Sequence, residues 1–235
     1  MNIIVTGCSS GIGYQTVLAL ARKGARLIYG LSRNEEGLKK LEEEVKATGT
    51  GAVLVPIVFD LASGDFAELL TLLDLGEHNR VDILINNAGV LVNKPFTDLS
   101  DYDWQRTFEV NFFAAVRLIR LIYPYFNRRE GAHIVNIGSM GGVQGREKFP
   151  GLSAYSASKA ALNVLGESLS VEFEKEGIAV NVLNPGAVET KMFREAFPGS
   201  IAPVSDSAMG EFVAHFALNN SKIMNGRLVE VSLRG

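Results

Sequence analysis

The chain has 235 residues, of which 47% are apolar and 21% are charged, as expected for one α/β unit with a substantial core. A net charge of −3 argues against a nucleic-acid or anionic-membrane partner. The single cysteine, Cys8, permits no internal disulfide and suits a reducing compartment. No apolar run approaches the ~20 residues of a membrane span, and no basic leader precedes the first strand. We therefore expect a cytoplasmic protein.

The N-terminal stretch predicts a strand, a glycine-rich turn and a helix. The β-branched run at residues 3–5 is typical of a buried parallel strand, and the helix that follows ends near Gly24. Between them, residues 6–13 read T-G-x-x-x-G-x-G. Glycines in such a turn let the backbone approach a pyrophosphate, which rests on the helix N-terminus. Because the spacing departs from G-x-G-x-x-G, the motif alone also fits an ordinary strand-to-helix turn.

Strands and helices then alternate to the end of the chain. Further strands are predicted at residues 26–31, 52–59, 81–85, 133–138, 178–183 and 227–232, and helices at 34–47, 65–75, 153–176 and 205–218. Another long helix begins at a capping box at Ser100 and bends or ends at Pro124, and residues 187–204 are predicted to be irregular. The alternation predicts a doubly wound, Rossmann-like, mostly parallel seven-stranded sheet flanked by helices. With no repeat or linker, residues 1–235 are expected to form one domain.

Tyr155 and Lys159 lie four residues apart in the predicted helix 153–176, and so share one of its faces. A lysine ammonium ~4 Å from a phenol would favour the phenolate by roughly 4 kcal/mol at an effective dielectric constant of 20, before the cost of desolvation is subtracted. Such a shift brings a tyrosine pKa towards the range used in general acid–base catalysis. Taken alone, the pair also fits the exposed surface of an alanine-rich helix.

Polar and glycine-rich residues follow most of the predicted strands. They are Thr6-Gly7, Asp60, residues 86–89, Ser139 and Pro185-Gly186. In open α/β sheets, ligands bind outside the carboxyl ends of the strands. The sequence therefore predicts a ligand-binding cleft at that edge of the sheet, and this shared location favours a functional role for Tyr155 and Lys159.

With these motifs, the sequence resembles the short-chain dehydrogenase/reductase family in its compact single-domain form. The matching features are the glycine turn at residues 6–13, Asp60, N-N-A-G at residues 86–89, Asn111, Ser139, Y-x-x-x-K at residues 155–159 and P-G-x-x-x-T at residues 185–190. They follow the family's order over nearly the whole chain. Each is weak alone, but the ordered set is specific.

The resemblance implies a catalytic set of Asn111, Ser139, Tyr155 and Lys159. Tyr155 would exchange a proton with a carbonyl or alcohol, and Lys159 would lower its pKa and hold the nicotinamide ribose. Ser139 would orient the substrate oxygen, and Asn111 would complete a proton relay through water towards the lysine. From the residues alone, Ser139 also fits an ordinary turn serine, and Asn111 a helix-bending role.

The resemblance also implies a dinucleotide site along the strand ends. Its residues would be Gly7, Ser9, Ser10, Gly11, Ile12, Gly13, Ser32, Arg33, Asp60, Leu61, Asn87, Ala88, Gly89, Tyr155, Lys159, Pro185, Gly186, Val188 and Thr190. Asn86 and Gly89 are expected near the adenine-side ribose, Asp60 near the adenine and Thr190 at the nicotinamide carboxamide. Asp60 equally fits an N-cap of the following helix.

The choice of cofactor depends on the end of the second strand. The segment Gly30-Leu31-Ser32-Arg33 lacks the acid that binds the ribose 2′-hydroxyl in NAD enzymes, and Arg33 could bind a 2′-phosphate. We therefore expect NADP(H) in preference to NAD(H). A solvated Arg33, or Glu35 or Glu36 acting as the missing acid, would favour NAD(H). Ser10 also stands where many NADP-preferring relatives carry a basic residue.

Two departures from the family concern the substrate pocket. Ser139 precedes Tyr155 by sixteen residues, more than is common, and residues 145–150 are the expected insertion. The segment from Thr190 to Ser205 is shorter than the substrate lid of many relatives. The apolar residues of these two segments, Phe149, Met192, Phe193 and Phe197, fit either a pocket wall or ordinary core beneath a loop.

The sequence thus predicts an oxidoreductase that exchanges hydride between NADPH and a carbonyl or alcohol, running as a carbonyl reductase because cellular NADPH is kept reduced. The alternative is a catalytically silent NADP-binding interaction protein, against which the intact four-residue set argues. A serine hydrolase is disfavoured, because the sequence has no G-x-S-x-G motif and none of His78, His133 and His215 fits a recognisable triad. No cluster of ligating residues suggests a metal site.

The expected partner is a small-molecule carbonyl or alcohol, with no nucleic acid and no membrane. Helix 101–123 carries an aromatic stripe at Trp104, Phe108 and Phe112, which is typical of a core or subunit contact. Members of the resembled family pair through two long helices, here residues 104–123 and 155–174. A homodimer or homotetramer is therefore expected.

Overall fold

The computed structural model describes residues 1–76 and 80–232, and its centre is a sheet of seven parallel strands. The strands are β1 (Asn2–Thr6), β2 (Leu27–Ser32), β3 (Val53–Val58), β4 (Ile83–Asn86), β5 (Ala132–Ile137), β6 (Ile178–Pro185) and β9 (Leu228–Val231), in the spatial order β3-β2-β1-β4-β5-β6-β9. Two further strands, β7 (Val188–Glu189) and β8 (Val204–Ser205), pair with each other. The predicted doubly wound, Rossmann-like fold is confirmed, and each pairing in the seven-stranded sheet is parallel.

Helices cover both faces of this sheet. They are α1 (Gly11–Arg22), α2 (Glu35–Ala47), α3 (Phe66–Leu73), α4 (Asp101–Phe108), α5 (Ala114–Ile122), α6 (Ser153–Glu172), α7 (Lys191–Ala196) and α8 (Asp206–Asn219). Because successive strand residues point to opposite faces, Ile3 and Val5 pack with α1, α2 and α8, whereas Ile4 packs with α3 and α5. Apolar side chains are thus buried on both faces of the sheet, as in other parallel sheets.

The point between β1 and β4 positions the candidate site. Strand β1 pairs with β2 on one side and with β4 on the other, so the chain order reverses there. The loops that leave the carboxyl ends of β1 and β4 diverge to opposite faces, which opens a crevice between them.

Several predicted boundaries differ from those in the structure. Helix α3 ends at Leu73, where Asp74 adopts a left-handed conformation (φ 44°), instead of continuing to Leu75 as predicted; aspartate tolerates this backbone region better than most residues. Val81 forms only an isolated bridge with Phe126. Residues 187–204 are not wholly irregular, because they contain β7, α7 and the start of β8. His78 lies outside the described residues.

The helix that begins at Ser100 is interrupted. Its capping box is confirmed: Ser100 Oγ accepts a hydrogen bond from Asp103 N, and Asp103 Oδ2 accepts one from Ser100 N. Residues Glu109–Phe113 then form a π-helical turn before α5. Such turns inside α-helices occur frequently at functional sites. Among the helices of the described ranges, none is long and apolar enough to cross a bilayer.

A buried histidine links three elements on one side of the sheet. His133 of β5 is 1% exposed, and its Nδ1 lies 3.0 Å from Ala217 O of α8. Its Nε2 lies 2.9 Å from Asn181 Nδ2 of β6. Since a carbonyl only accepts, Nδ1 carries the proton and donates, and Nε2 accepts from the amide. Burial lowers the pKa of His133 to about 4 from 6.5, so the ring is neutral in the folded protein.

We predict that His133 makes the folded state less stable as the pH falls. Because its folded-state pKa is below its unfolded value, the unfolded chain binds more protons between pH 6.5 and about 4. The free energy of unfolding should therefore fall across this window, by roughly 3 kcal/mol from this group alone. In His133→Gln, urea unfolding followed by circular dichroism should show a correspondingly weaker pH dependence. The matched control His215→Gln, at an exposed position, should retain the wild-type slope; identical slopes in wild type and His133→Gln would contradict the assignment.

Candidate active site

The floor of the crevice is the contact between the loops that follow β1 and β4. Thr6 Oγ1 accepts hydrogen bonds from the backbone N of Asn87 and Ala88, both at 3.0 Å. Asn87 Nδ2 returns bonds to Thr6 O and Gly7 O. Gly7 has a φ of 66°, and a Cβ on it would lie 2.7 Å from Ala88 Cα. No side chain can therefore replace Gly7 without separating the two loops.

The start of α1 borders the crevice without a side-chain cap. Its N-cap residue Ser10 makes no capping hydrogen bond, whereas Asn34, Ser100 and Ser205 each cap their helices. The side chain of the preceding Ser9 is bonded to Ser32 at the end of β2. Backbone amides at an uncapped helix start can bind an anion.

A single cleft of about 740 Å³ brings together most of the predicted site residues. The predicted cofactor residues that line it are Gly7, Ser9, Ser10, Gly11, Ile12, Ser32, Arg33, Asp60, Leu61, Asn87, Ala88, Gly89, Tyr155, Lys159, Pro185, Gly186, Val188 and Thr190, joined by the predicted catalytic Ser139. Gly13 lies beneath the turn instead, where a Cβ would be 2.5 Å from Gly7 O. Its absent side chain therefore allows close packing of α1 and does not form cleft surface.

Asn86 does not lie where the sequence predicted. Its side chain is buried in β4 and donates from Nδ2 to Asn136 Oδ1 at 2.8 Å. It does not line the cleft, and its neighbour Asn87 does. The reason is the alternation of a strand, which turns adjacent side chains to opposite sides.

The dyad residues Tyr155 and Lys159 meet at the end of β5. Lys159 is 3% exposed, and its Nζ donates to Ile137 O at 2.7 Å. The same Nζ lies 5.9 Å from the centroid of the Tyr155 ring. A hydrogen bond joins the Tyr155 and Ser139 hydroxyls. One end of the cleft therefore holds two hydroxyl groups and an ammonium.

The effect of this environment on Tyr155 differs from the sequence-based expectation. Burial raises the pKa of Tyr155, and the Ser139 hydrogen bond only partly opposes this. Burial also lowers the pKa of Lys159 to about 8. The expected lowering of the tyrosine pKa is wrong for the protein alone, because desolvation of the phenolate outweighs the influence of its neighbours. Tyr155 is therefore protonated at neutral pH and can donate a proton.

Asn111 lies behind the cleft wall, in the π-helical turn. Its Oδ1 accepts from Val90 N, and its Nδ2 donates to Val90 O and to Ser158 Oγ. A Cβ on Gly89 would lie 3.4 Å from Asn111 Oδ1 and 3.5 Å from Lys159 Nζ. Asn111 thus fixes the loop after β4, and only Gly89 separates it from the lysine.

Ser139 serves both as a turn residue and as part of the site. Its Oγ accepts from Gly141 N and caps the short 3₁₀ turn Met140–Gly142. Its backbone N donates to Asn184 Oδ1 at 2.9 Å. Asn184 is fully buried and was not singled out by the sequence, although it directly precedes Pro185. Its position at the end of β6 is the signal that could have identified it.

At the opposite end of the cleft, Arg33 and Asp60 face each other, with Nη1 3.8 Å from Oδ2. Asp60 Oδ1 accepts from Ala62 N, while Asp65 caps α3, so Asp60 is not that helix's N-cap. Glu35 pairs with Lys39 on α2, and this pairing lowers the pKa of Glu35. Neither Glu35 nor Glu36 lines the cleft.

Apolar side chains cover the cleft beyond the dyad. Phe149, Met192, Phe193 and Phe197 all line it, which supports the pocket-wall alternative for these residues. Sequence reasoning missed Val90, Leu91, Met140 and Leu152, which also line the cleft. Val90 and Leu91 directly follow the N-N-A-G motif, so their place in the chain could have identified them.

In the part of the chain that the structure describes, neither a metal-binding cluster nor a reactive thiolate is found at the site. No group of three or more His, Cys, Asp and Glu side chains there is arranged to hold a metal ion. Cys8, in the glycine turn, is buried, and burial raises the pKa of its thiol to about 12. Its thiolate is therefore not available as a nucleophile at neutral pH.

The chain is similar in sequence and fold to known oxidoreductases. A family model described as short chain dehydrogenase matches residues 1–200. An uncharacterized oxidoreductase of Listeria monocytogenes is 31% identical over 192 residues, covering 81% of this chain and 75% of the relative. Dehydrogenase/reductase SDR family member 7B of Bos taurus is 33% identical over 199 residues, covering 81% of this chain and 58% of the relative. The crystal structure of L-sorbose reductase from Gluconobacter frateurii, complexed with NADPH and L-sorbose, has a TM-score of 0.85 at 26% identity, covering 98% and 94% of the two chains.

We predict that Lys159 makes the free protein less stable at neutral pH. Its folded-state pKa of about 8 lies below the unfolded value of 10.5, so the unfolding free energy of the wild type should rise with pH across that window. At pH 7, Lys159→Met should have a higher unfolding free energy than the wild type. By pH 10.5 this difference should have shifted by roughly 3 kcal/mol in favour of the wild type. Denaturant unfolding at several pH values tests this. The exposed Lys175→Met is the control, and a pH-independent difference for Lys159→Met would refute the prediction.

Proposed function

We propose that this chain, which belongs to the short-chain dehydrogenase/reductase family, is an NADP(H)-dependent reductase of carbonyl compounds. The convergence of Ser139, Tyr155 and Lys159 on one end of the cleft carries this proposal. The other end is bounded by the glycine turn and by Arg33. A dinucleotide extended between these ends would bring its nicotinamide to the two hydroxyls.

The shape of the cleft fits a dinucleotide. The uncapped start of α1 supplies amide donors for a pyrophosphate, and Gly7 allows the loops after β1 and β4 to meet closely beside it. We assign the adenine to Asp60 and Leu61, its ribose to residues 87–89, and a 2′-phosphate to Ser32 and Arg33. Lys159 and Tyr155 would hold the second ribose, and residues 185–190 the nicotinamide, with Thr190 at its carboxamide. The bound cofactor would supply the hydride, and the protein orientation and charge.

The side chains at the dyad then provide proton chemistry. Tyr155, protonated at neutral pH, would donate its hydroxyl proton to the carbonyl oxygen as the carbonyl carbon gains hydride. Ser139 would orient that oxygen through its own hydroxyl. Lys159 would return a proton towards Tyr155, with Asn111 completing the relay through water. The raised pKa of Tyr155 keeps it in the acid form that reduction needs, and reduction is the proposed direction because cellular NADPH is kept reduced.

We prefer NADP(H) to NAD(H) because the end of β2 carries a cation, Arg33, and the nearby carboxylate of Asp60 is paired with it. Arg33 is half-exposed, and its contact with Asp60 is long, at 3.8 Å. Turning its guanidinium from Asp60 to a phosphate would therefore cost little free energy. The NADPH complex of the similar L-sorbose reductase is consistent with this choice. The alternative, a catalytically silent NADP-binding protein, is less favoured because all four side chains of the proposed catalytic set are present.

We also propose that residues 1–235 form one domain that assembles as a homodimer or homotetramer in the cytoplasm. Partly exposed aromatic rings form a continuous row in which neighbouring centroids are 5.1–6.4 Å apart; the row comprises Phe96, Trp104, Phe108, Phe112 and Phe113. On α6, Val164 and Val171 are 61% and 73% exposed. Burial of these apolar surfaces by a second copy would stabilise the assembly.

Replacement of the proposed proton donor tests the enzymatic function. Tyr155→Phe should lower kcat for NADPH-dependent carbonyl reduction by about 10²- to 10⁴-fold, because it removes the acid while preserving the ring. NADPH binding, measured by fluorescence titration, should persist. Tyr102→Phe, at a 65% exposed position, should match the wild type. Full turnover by Tyr155→Phe would refute the catalytic assignment, and cofactor binding without turnover in any carbonyl panel would favour the silent-binder alternative.

Replacement of Arg33 tests the cofactor preference. Arg33→Asp should reduce the NADPH/NADH ratio of kcat/KM by about ten- to a hundredfold, because it replaces a charge-assisted bond with repulsion of the 2′-phosphate. Arg22→Asp provides a control of similar exposure on α1. An unchanged ratio in Arg33→Asp would exclude Arg33 as the determinant.

A further inference from the structure

We propose that the substrate is an uncharged ketone or aldehyde with an alkyl or aryl group, which binds against a wall formed by Phe149, Met192, Phe193 and Phe197. This substrate class rests on the reductase function proposed above. It differs from the sugar in the similar L-sorbose reductase complex.

The wall is a packed group of side chains at the cleft mouth. The rings of Phe193 and Phe197 lie 5.2 Å apart, and those of Phe149 and Phe197 lie 6.4 Å apart at 67°. Phe149 is nevertheless 56% exposed and Met192 37% exposed. The wall thus presents apolar surface to the cleft, next to the apolar residues Val90, Leu91, Met140 and Leu152 that also line it. Its contact with an apolar group would remove that surface from water.

The loop that carries Phe149 is held in place. Lys148 Nζ, one residue before it, donates to Gly141 O and Val143 O at 2.8 and 2.5 Å. Arg146 pairs with Glu230 of β9 at 2.7 Å. The loop is therefore anchored to the turn after Ser139 and to the sheet edge, which fixes the position of Phe149.

The other half of the wall is anchored independently. Asn93 Nδ2 donates to Ala196 O at the end of α7, and the adjacent Lys94 N donates to Gly151 O. Glu189 accepts from Arg194 on α7 and from Ala202 N, both at 2.8 Å. These bonds connect α7, through Asn93 and Lys94, to the loop before α6, so the two halves of the wall are held together.

The charges around the cleft disfavour an acidic substrate. Of the charged side chains that line it within the described residues, Arg33 and Asp60 lie at the adenine end and Lys159 is bonded to Ile137 O. Lys191, near the wall, is 75% exposed and 3.7 Å from Glu195. In the described part of the chain, the wall therefore has no buried cation to compensate a carboxylate or phosphate.

The wall itself offers little hydrogen bonding, because its four side chains are apolar. Nearby, Ser139 is assigned to the carbonyl oxygen and Thr190 to the nicotinamide carboxamide, and each already accepts a backbone bond, from Gly141 N and Phe193 N. A polyhydroxylated substrate would lose water at the wall without regaining partners for its hydroxyls, which is unfavourable. An alkyl or aryl group needs no hydrogen-bond partners. In the proposed reaction the bound cofactor would supply hydride to the carbonyl carbon, Tyr155 would give its proton to the carbonyl oxygen, and the apolar group would be unchanged.

A homologous series of 2-alkanones, from butanone to octanone, tests this inference with NADPH and the chain of 235 residues. A methylene buried against the wall should raise kcat/KM by up to about fourfold. The kcat/KM for 2-octanone should exceed the values for 2-oxooctanoate and for L-sorbose by at least tenfold. Phe149→Ala should flatten the rise with chain length, because it removes a ring from the wall. Phe212→Ala, which removes a 38% exposed ring of α8, should preserve the rise.

The outcomes separate this inference from the proposed function. NADPH-dependent reduction of L-sorbose or 2-oxooctanoate in preference to 2-octanone would leave the reductase function standing and overturn the apolar substrate class. The same conclusion follows from a chain-length series that is flat in the wild type, or equally steep in folded Phe149→Ala. Turnover of no carbonyl compound by protein that binds NADPH would overturn both.

Discussion

The buried ammonium of Lys159 is the group around which the candidate site is assembled. Its bond to Ile137 O joins α6 to the end of β5. The 3₁₀ turn after Ser139 packs against the same residue so closely that a Cβ on Gly142 would lie 2.8 Å from Lys159 Cβ. Sheet, catalytic helix and serine turn thus meet at one side chain. Because an ammonium is poorly solvated there, this arrangement depends on the carbonyl acceptor and on close packing.

Burial has opposite consequences for the two ionisable members of the dyad. It disfavours both the tyrosinate and the ammonium, so the pKa of Tyr155 rises while that of Lys159 falls. The free protein therefore holds the tyrosine in its acid form. An anionic dinucleotide in the cleft would favour the lysine ammonium again, since an opposite charge stabilises it. Cofactor binding would thereby strengthen the cation that the proton relay needs.

The sequence predicted the parts of the fold that depend on local patterns. Alternating apolar strands and amphipathic helices specified the parallel sheet, and the capping box at Ser100 specified a helix start. It did not predict the π-helical turn that contains Asn111, nor the bonds from Asn111 to Val90 and Ser158, because these join residues that are distant in the chain. Asn86 was misplaced for a related reason. A short motif does not define which of two adjacent asparagines faces the crevice until the strand's register is known.

Electrostatics were less predictable than position. The i, i+4 spacing correctly placed Tyr155 and Lys159 together, since the 5.9 Å separation of ammonium and ring follows from the helix. The sign of the tyrosine shift did not follow from spacing, because it depends on how much water remains around the phenol. Desolvation is a property of the assembled core, to which residues from β5, α6 and the serine turn all contribute.

Because of the extra residues between Ser139 and Tyr155, different contacts position the proposed catalytic dyad and the proposed substrate-binding wall. Tyr155 and Lys159 are positioned by α6 and the end of β5. Phe149 is instead held by Lys148 and Arg146 through bonds to Gly141, Val143 and Glu230. A change in the loop can therefore reshape the apolar wall while the dyad retains its contacts. This separation explains how one scaffold can keep a proton-transfer site while the adjoining surface selects different carbonyl compounds.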